Sequence, residues 1–385
     1  MFFAYSRNSA FRKDNYMALV TSSLNGNAVK YNDAEFEVLK EAKNVYLHYV
    51  GDGSNITNPK GNTSCYRMFE DFEGTNLDLS KFNTCEITNM SFMFNNCINL
   101  EDLDLSNFDT SNVTSIDCMF QYCENLECLD LSSFDTSKVI HMLAMFEHCH
   151  NLWLLDVSSF DTSNVSDMSY MFHDCNNLKS LNLSNFNTSN VESMYRMFKG
   201  CRELNSIDVS SFNTEKVKDM TGMFSECYNL ETLDLSNFYT PNLEDTREMF
   251  ENCILLKKID ISGFNTSNVT DMGFLFSNCS NLKTLDLSNF STHNVTDMSY
   301  MFNNCYSLEE IDVSSFNINS DIVFYEEEYA IRNMFSSCRS LEKVKVNSNY
   351  LEFFTNHKSF IFEKCGNVNI IPVNKLDKAV EDLFY

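Results

Sequence analysis

The sequence predicts an α/β solenoid, mostly β and turn: a stack of near-identical coils with a parallel β-sheet along one face. Three regularities predict it. Cys97, Cys123, Cys149, Cys175, Cys201, Cys227, Cys253, Cys279 and Cys305 stand 26 residues apart. A leucine triplet keeps step with them, as Leu100/Leu103/Leu105, Leu126/Leu129/Leu131, Leu178/Leu181/Leu183 and Leu282/Leu285/Leu287. Phe108 and the pair Met119-Phe120 recur in the same register, with Leu275-Phe276 replacing one pair. Self-similarity at such a period marks a repeat array, in which each coil adds one slice to a continuous core.

Within one coil the elements follow in order. Leu103-Asp104-Leu105-Ser106 alternates apolar and polar residues, the period of a half-buried strand. Asp109-Thr110-Ser111-Asn112 supplies turn residues, and Val113 and Ile116 then bring the apolar face back inward. Ser-x-Met-Phe-x-x-Cys, for instance Ser169 to Cys175, reads as a capped single helical turn. A lone coil has two open flat faces, so the array is the expected folding unit.

The ends depart from the pattern, as capping coils should. Residues 1–64 form an expected N-terminal non-repeat cap, in which Asp33 to Tyr46 reads as an amphipathic helix leading into a strand. Residues 65–345 form the solenoid, and 346–385 a last degenerate copy and C-terminal cap. After Cys305 the next marker is Cys338, so the cycle gains seven residues in the 319–330 insertion. Glu326-Glu327-Glu328 lies within it, which predicts an acidic bulge.

Composition narrows the function classes. With 54 acidic against 28 basic residues, the net charge is −26. No basic stripe offsets it, so neither a phosphate backbone nor an anionic lipid surface is an expected partner. No apolar run reaches the length of a membrane span, and the opening Met1-Phe2-Phe3-Ala4-Tyr5-Ser6-Arg7 does not read as a signal peptide.

Fifteen cysteines suggest disulfides until their positions are read. Copies repeated once per coil point the same way, which is poor geometry for an S–S bond, so the column is expected to be buried free thiols. Cys65, Cys85, Cys118 and Cys128 lie off that column. His141, His148 and His150 flank an inward cysteine at ordinary turn positions, which argues against a zinc site. Gly-rich phosphate loops, His-Glu-x-x-His and Gly-x-Ser-x-Gly are missing, so neither an enzyme nor a cofactor is expected.

From about Met68 to Cys365 the chain resembles the BspA-like leucine-rich-repeat proteins. The shared repeat reads Met-Phe-x-x-Cys-x-x-Leu-x-x-Leu-Asp-Leu-Ser-x-Phe-Asp-Thr-Ser-x-Val-x-x-Met. The resemblance implies a right-handed leucine-rich-repeat-like solenoid with its parallel sheet on the concave face. It further implies display at the cell surface or secretion, and adhesion to host proteins or other cells.

Two outward columns carry candidate sites. Asp104, Asp130, Asp156, Asp208, Asp234, Asp260, Asp286 and Asp312, with Asn182 in the same row, sit between inward residues beside a row of serines. Carboxylates about 4.8 Å apart repel by about 1 kcal/mol in water. Divalent cations or local hydrogen bonds could offset that, and the repeated motif favours the hydrogen bonds. Specificity belongs where the copies differ. One position before the second strand leucine reads Asp102, Cys128, Leu154, Ser180, Ser206, Thr232, Lys258, Thr284 and Glu310. The sole tryptophan, Trp153, precedes Leu154 where other coils are polar. The expected site is therefore a partner-binding face with Trp153, Leu154, Asp102, Lys258 and Glu310, and the expected ligand is a protein or cell-surface partner. A structural spacer, or a surface or virion decoration that self-associates, is the alternative.

Overall fold

The computed structural model describes residues 29–31, 34–41, 44–318 and 330–374. The predicted acidic bulge at Glu326-Glu327-Glu328 and the tail to Tyr385 fall outside the described residues.

The chain enters through an antiparallel sheet of β1 (Val29–Tyr31), β2 (Ala34–Glu41) and β3 (Asn44–Tyr49), in the order β1-β2-β3. This corrects the expected helix at Asp33 to Tyr46. The Ala, Glu and Lys content favours a helix locally, but Glu35-Phe36-Glu37-Val38 alternates and Val45-Tyr46-Leu47 is rich in strand formers. Docking decides between them. The Tyr49 amide donates to Met68 O at 2.8 Å. The Tyr49 ring also lies 5.5 Å from Phe36 and 5.4 Å from Phe69. The hairpin thereby closes the first coil.

Parallel coils follow in register. β4 (Cys128–Asp130) pairs with β5 (Leu154–Asp156), and β6 (Thr232–Asp234) with β7 (Lys258–Asp260). β8 (Glu310–Val313), β9 (Lys343–Asn347) and β10 (Asn369–Val373) form a third group. Between β9 and β10 lie the short helices α1 (Leu351–Asn356) and α2 (Lys358–Ile361). The Leu-x-Leu sheet is thus built of patches. A second line of parallel bridges runs along another side, joining Asn89 to Ser115, Ser115 to His141, Ser193 to Asp219 and Asp271 to Asp297.

The Met-Phe segment supplies the continuous link between coils, and it is not a helical turn. In the coil of Cys175 the Met171, His173 and Cys175 amides bond back within the coil, to Met168, Tyr170 and Phe172. The alternate amides of Tyr170, Phe172 and Asp174 reach Tyr195, Met197 and Lys199 of the next coil at 2.8, 2.9 and 2.7 Å. Tyr170 and Asp174 take positive φ, 59° and 55°, and equivalent residues do so in coil after coil. Left-handed backbone costs roughly 1–2 kcal/mol for a residue with a Cβ. The inter-coil bonds offset it, whereas a helix would leave adjacent coils unlinked at this side.

Inside, the columns run unbroken. Phe69, Phe94, Phe120, Phe146, Phe172 and Phe198 stack with ring centroids 5.5–5.7 Å apart. Phe302 stacks on Phe335 at 5.1 Å, so the longer coil keeps its core in step. All fifteen cysteines are free, and those of the column are buried. They do more than fill space: Cys149 Sγ donates to Phe120 O at 3.1 Å and Cys201 Sγ to Phe172 O at 3.2 Å. The turn threonines Thr110, Thr136, Thr162 and Thr188 are also buried. Thr188 Oγ1 donates to Asn213 O and accepts from the Asn213 amide, each at 2.8 Å.

Candidate functional site

The residues between inward leucines do face out. Asp102, Leu154, Lys258 and Glu310 are exposed, and Cys128 is half-buried. They share one side of the stack without converging. Leu154 and Lys258 lie four coils apart, about 19 Å at ordinary strand spacing. Each has local neighbours instead: Leu154 pairs in register with Cys128, and Glu310 Oε2 lies 3.7 Å from Lys343 Nζ. Asp102 bridges to Asn76 in the preceding coil.

Trp153 and Leu154 form the one adjacent pair of large exposed apolar side chains among the described residues, at 49% and 52% exposure. Parallel pairing of β4 with β5 sets this orientation. With Leu155 turned into the core, Leu154 must turn out, and the Trp153 amide is held by Glu127 O at 3.0 Å. Glu127 and Lys179 occupy the Trp153 position in the coils on either side, both exposed. An indole and an isobutyl group therefore stand on a polar ladder, held by paired backbone.

The aspartate row has a local explanation. Oδ1 of Asp104, Asp130, Asp156 and Asp208 accepts from the amide of the serine two residues on, at 2.9 Å in each case. Asp234, Asp260, Asp286 and Asp312 repeat the contact at 2.9–3.0 Å. Serine side-chain and backbone hydrogen bonds hold Asp104, Asp130, Asp208 and Asp260 below the ordinary carboxylate range. Each carboxylate closes its own turn, and at Asp104 and Asp260 the neighbouring aspartate weighs less than these bonds.

Reading the chain linearly missed one cluster. His141 belongs to the second bridge line, but His148 and His150 gather with Glu147, His173 and Asp174. The signal was there: a residue just before one cysteine lies beside the residue two before the next, and these positions hold His148 and His173.

A family model described as "Mycoplasma protein of unknown function, DUF285" matches residues 63–154, 142–259 and 248–374. No curated protein matches the chain. Among solved structures it is similar to a chain of a TLR13–ssRNA13 complex, with 17% identity and a TM-score of 0.24. That overlap covers 69% of this chain and 43% of the TLR13 chain, so this chain spans less than half the length of that relative. The three family matches run end to end through the coil stack, and the chain belongs to the DUF285 family of Mycoplasma proteins.

Proposed function

We propose that this chain is a non-enzymatic recognition module that binds a protein or cell-surface partner through the Leu-x-Leu face, centred on Trp153 and Leu154. The observation that carries the reading is their paired exposure, 49% and 52%, at the start of a strand paired in register with β4. Desolvating an indole and an adjacent aliphatic chain is how a few residues come to dominate an interface. Pre-ordered backbone keeps the entropic cost of binding low. The surrounding aspartate row and the net charge of −26 select a partner with a basic rim around an apolar pocket.

The BspA-like repeat pattern supports the same role and display at a cell surface. Among the described residues no helix is long and apolar enough to cross a membrane. The test is to isolate partners from host-cell surface protein and compare Trp153→Ala/Leu154→Ser with the unaltered chain on each. The double variant should lose at least tenfold in affinity while its melting curve stays in place. Equal affinity would remove this patch from the account.

A further inference from the structure

We infer that Glu147, His148 and His173 form a binding site for one divalent transition-metal ion of the zinc class, on the side of the stack that carries the Met-Phe segments. Their ligand atoms lie within 4.8 Å of one another. Glu147 Oε1 is 3.0 Å from His173 Nδ1 and 3.7 Å from His148 Nε2. Zinc–nitrogen and zinc–oxygen bonds of about 2.0–2.2 Å place tetrahedral ligands roughly 3.3–3.5 Å apart. Small side-chain rotations bring these three atoms to that spacing.

The groups around the triad are those a metal site needs. With Nε2 of His148 and Nδ1 of His173 turned to the ion, the remaining ring nitrogens both face Asp174 Oδ2, at 3.3 and 3.5 Å. A carboxylate behind a ligating imidazole fixes its tautomer and raises its basicity. Gln121 Nε2 donates to Glu147 Oε2, leaving Oε1 for the ion. The Tyr122 ring stacks on His148 at 4.6 Å, and Tyr170 meets His173 edge-on at 5.4 Å. At position 200 a glycine follows Asp174 in the column, and any Cβ there would collide with the Asp174 carboxylate.

Competing cations are missing. Among the described residues neither Glu147 nor Asp174 forms an ion pair with lysine or arginine; each faces imidazoles. Two imidazoles and one carboxylate suit zinc, nickel or copper; calcium and magnesium prefer all-oxygen sites. The fourth tetrahedral position falls to water.

Calorimetric titration of the full chain with zinc chloride tests the site. One equivalent should bind, and excess calcium or magnesium should not displace it. His173→Ala and Glu147→Gln should each abolish that equivalent, and Asp174→Asn should weaken it by about 10–100-fold. His150→Ala should leave it intact, since His150 lies outside the triad. Circular dichroism checks that each variant keeps the fold. Absence of a stoichiometric zinc equivalent overturns the assignment, as does zinc binding that survives His173→Ala. Histidines that titrate between Glu147 and Asp174 without taking up zinc would overturn it too, in favour of a plain imidazolium ion pair.

Discussion

The Cys149 thiol donates to the carbonyl of Phe120 in the preceding coil, 3.1 Å away, and the same bond recurs from Cys123 to Phe94 and from Cys175 to Phe146. The cysteine therefore ties adjacent coils at the point where the Met-Phe segment turns inward. Cys201→Ala should cost about 1–3 kcal/mol, from the lost contact volume and the loss of one of the two hydrogen bonds that the Phe172 carbonyl accepts, the Cys175 amide keeping the other. Urea denaturation measures it, and a change under about 0.5 kcal/mol would reduce the thiol to filler.

Thiol reactivity follows from the same burial. Desolvation pushes Cys149, Cys253 and Cys305 up to about 12, far from the thiolate at neutral pH. Cys85 is exposed, and Cys128 is half-buried. An aromatic disulfide reagent at pH 7.5 should modify Cys85 and Cys128 within minutes. The buried column should react only after denaturant is added.

The buried threonines make a sharper stability prediction. Thr188 both donates to and accepts from Asn213 of the next coil. Thr188→Val keeps the shape but removes both hydrogen bonds to the part-buried Asn213 backbone, and should cost about 1–2 kcal/mol. Thr188→Ser keeps the hydroxyl and should cost clearly less. Equal losses would trace the effect to the methyl group.

Asp219, Asp245, Asp271 and Asp297 occupy one position in successive coils, and the bridges run directly between them. Burial first, then Asp297 and Asp245, raises Asp271 above the ordinary carboxylate range. A carboxylate raised in the folded state contributes its full stability below its unfolded value, about 3.9, and that is lost as pH climbs through the folded one. Asp271→Asn keeps the oxygen that accepts from the Gly273 amide at 2.8 Å. It should stabilise the chain by up to about 1 kcal/mol at pH 7, with the gain vanishing near pH 3. Thermal melts at both pH values check the sign.

Much of this architecture was legible because period-26 columns translate directly into stacked contacts. The inward leucines, the outward Asp102-to-Glu310 row and the free thiols all follow from which residues share a register. The helical turn was misread because left-handed positions are filled by Tyr122, His148 and Glu226 as well as by Asn252 and Asn278, and only the asparagines advertise such a backbone. The N-terminal hairpin was hidden because composition favoured a helix while docking on Phe69 favoured a strand. The histidine cluster escaped because His148 and His173 meet only once two coils are stacked.

Trp153 is the sole tryptophan, so its emission reports directly on the proposed recognition face. The most direct measurement is its fluorescence as a cell-surface partner is titrated in, with light scattering alongside to follow self-association. The chain should stay monomeric, and its solvent-exposed emission should shift to the blue and become shielded from acrylamide as the complex forms. A saturating complex that leaves Trp153 emission and quenching unchanged would contradict recognition through this face.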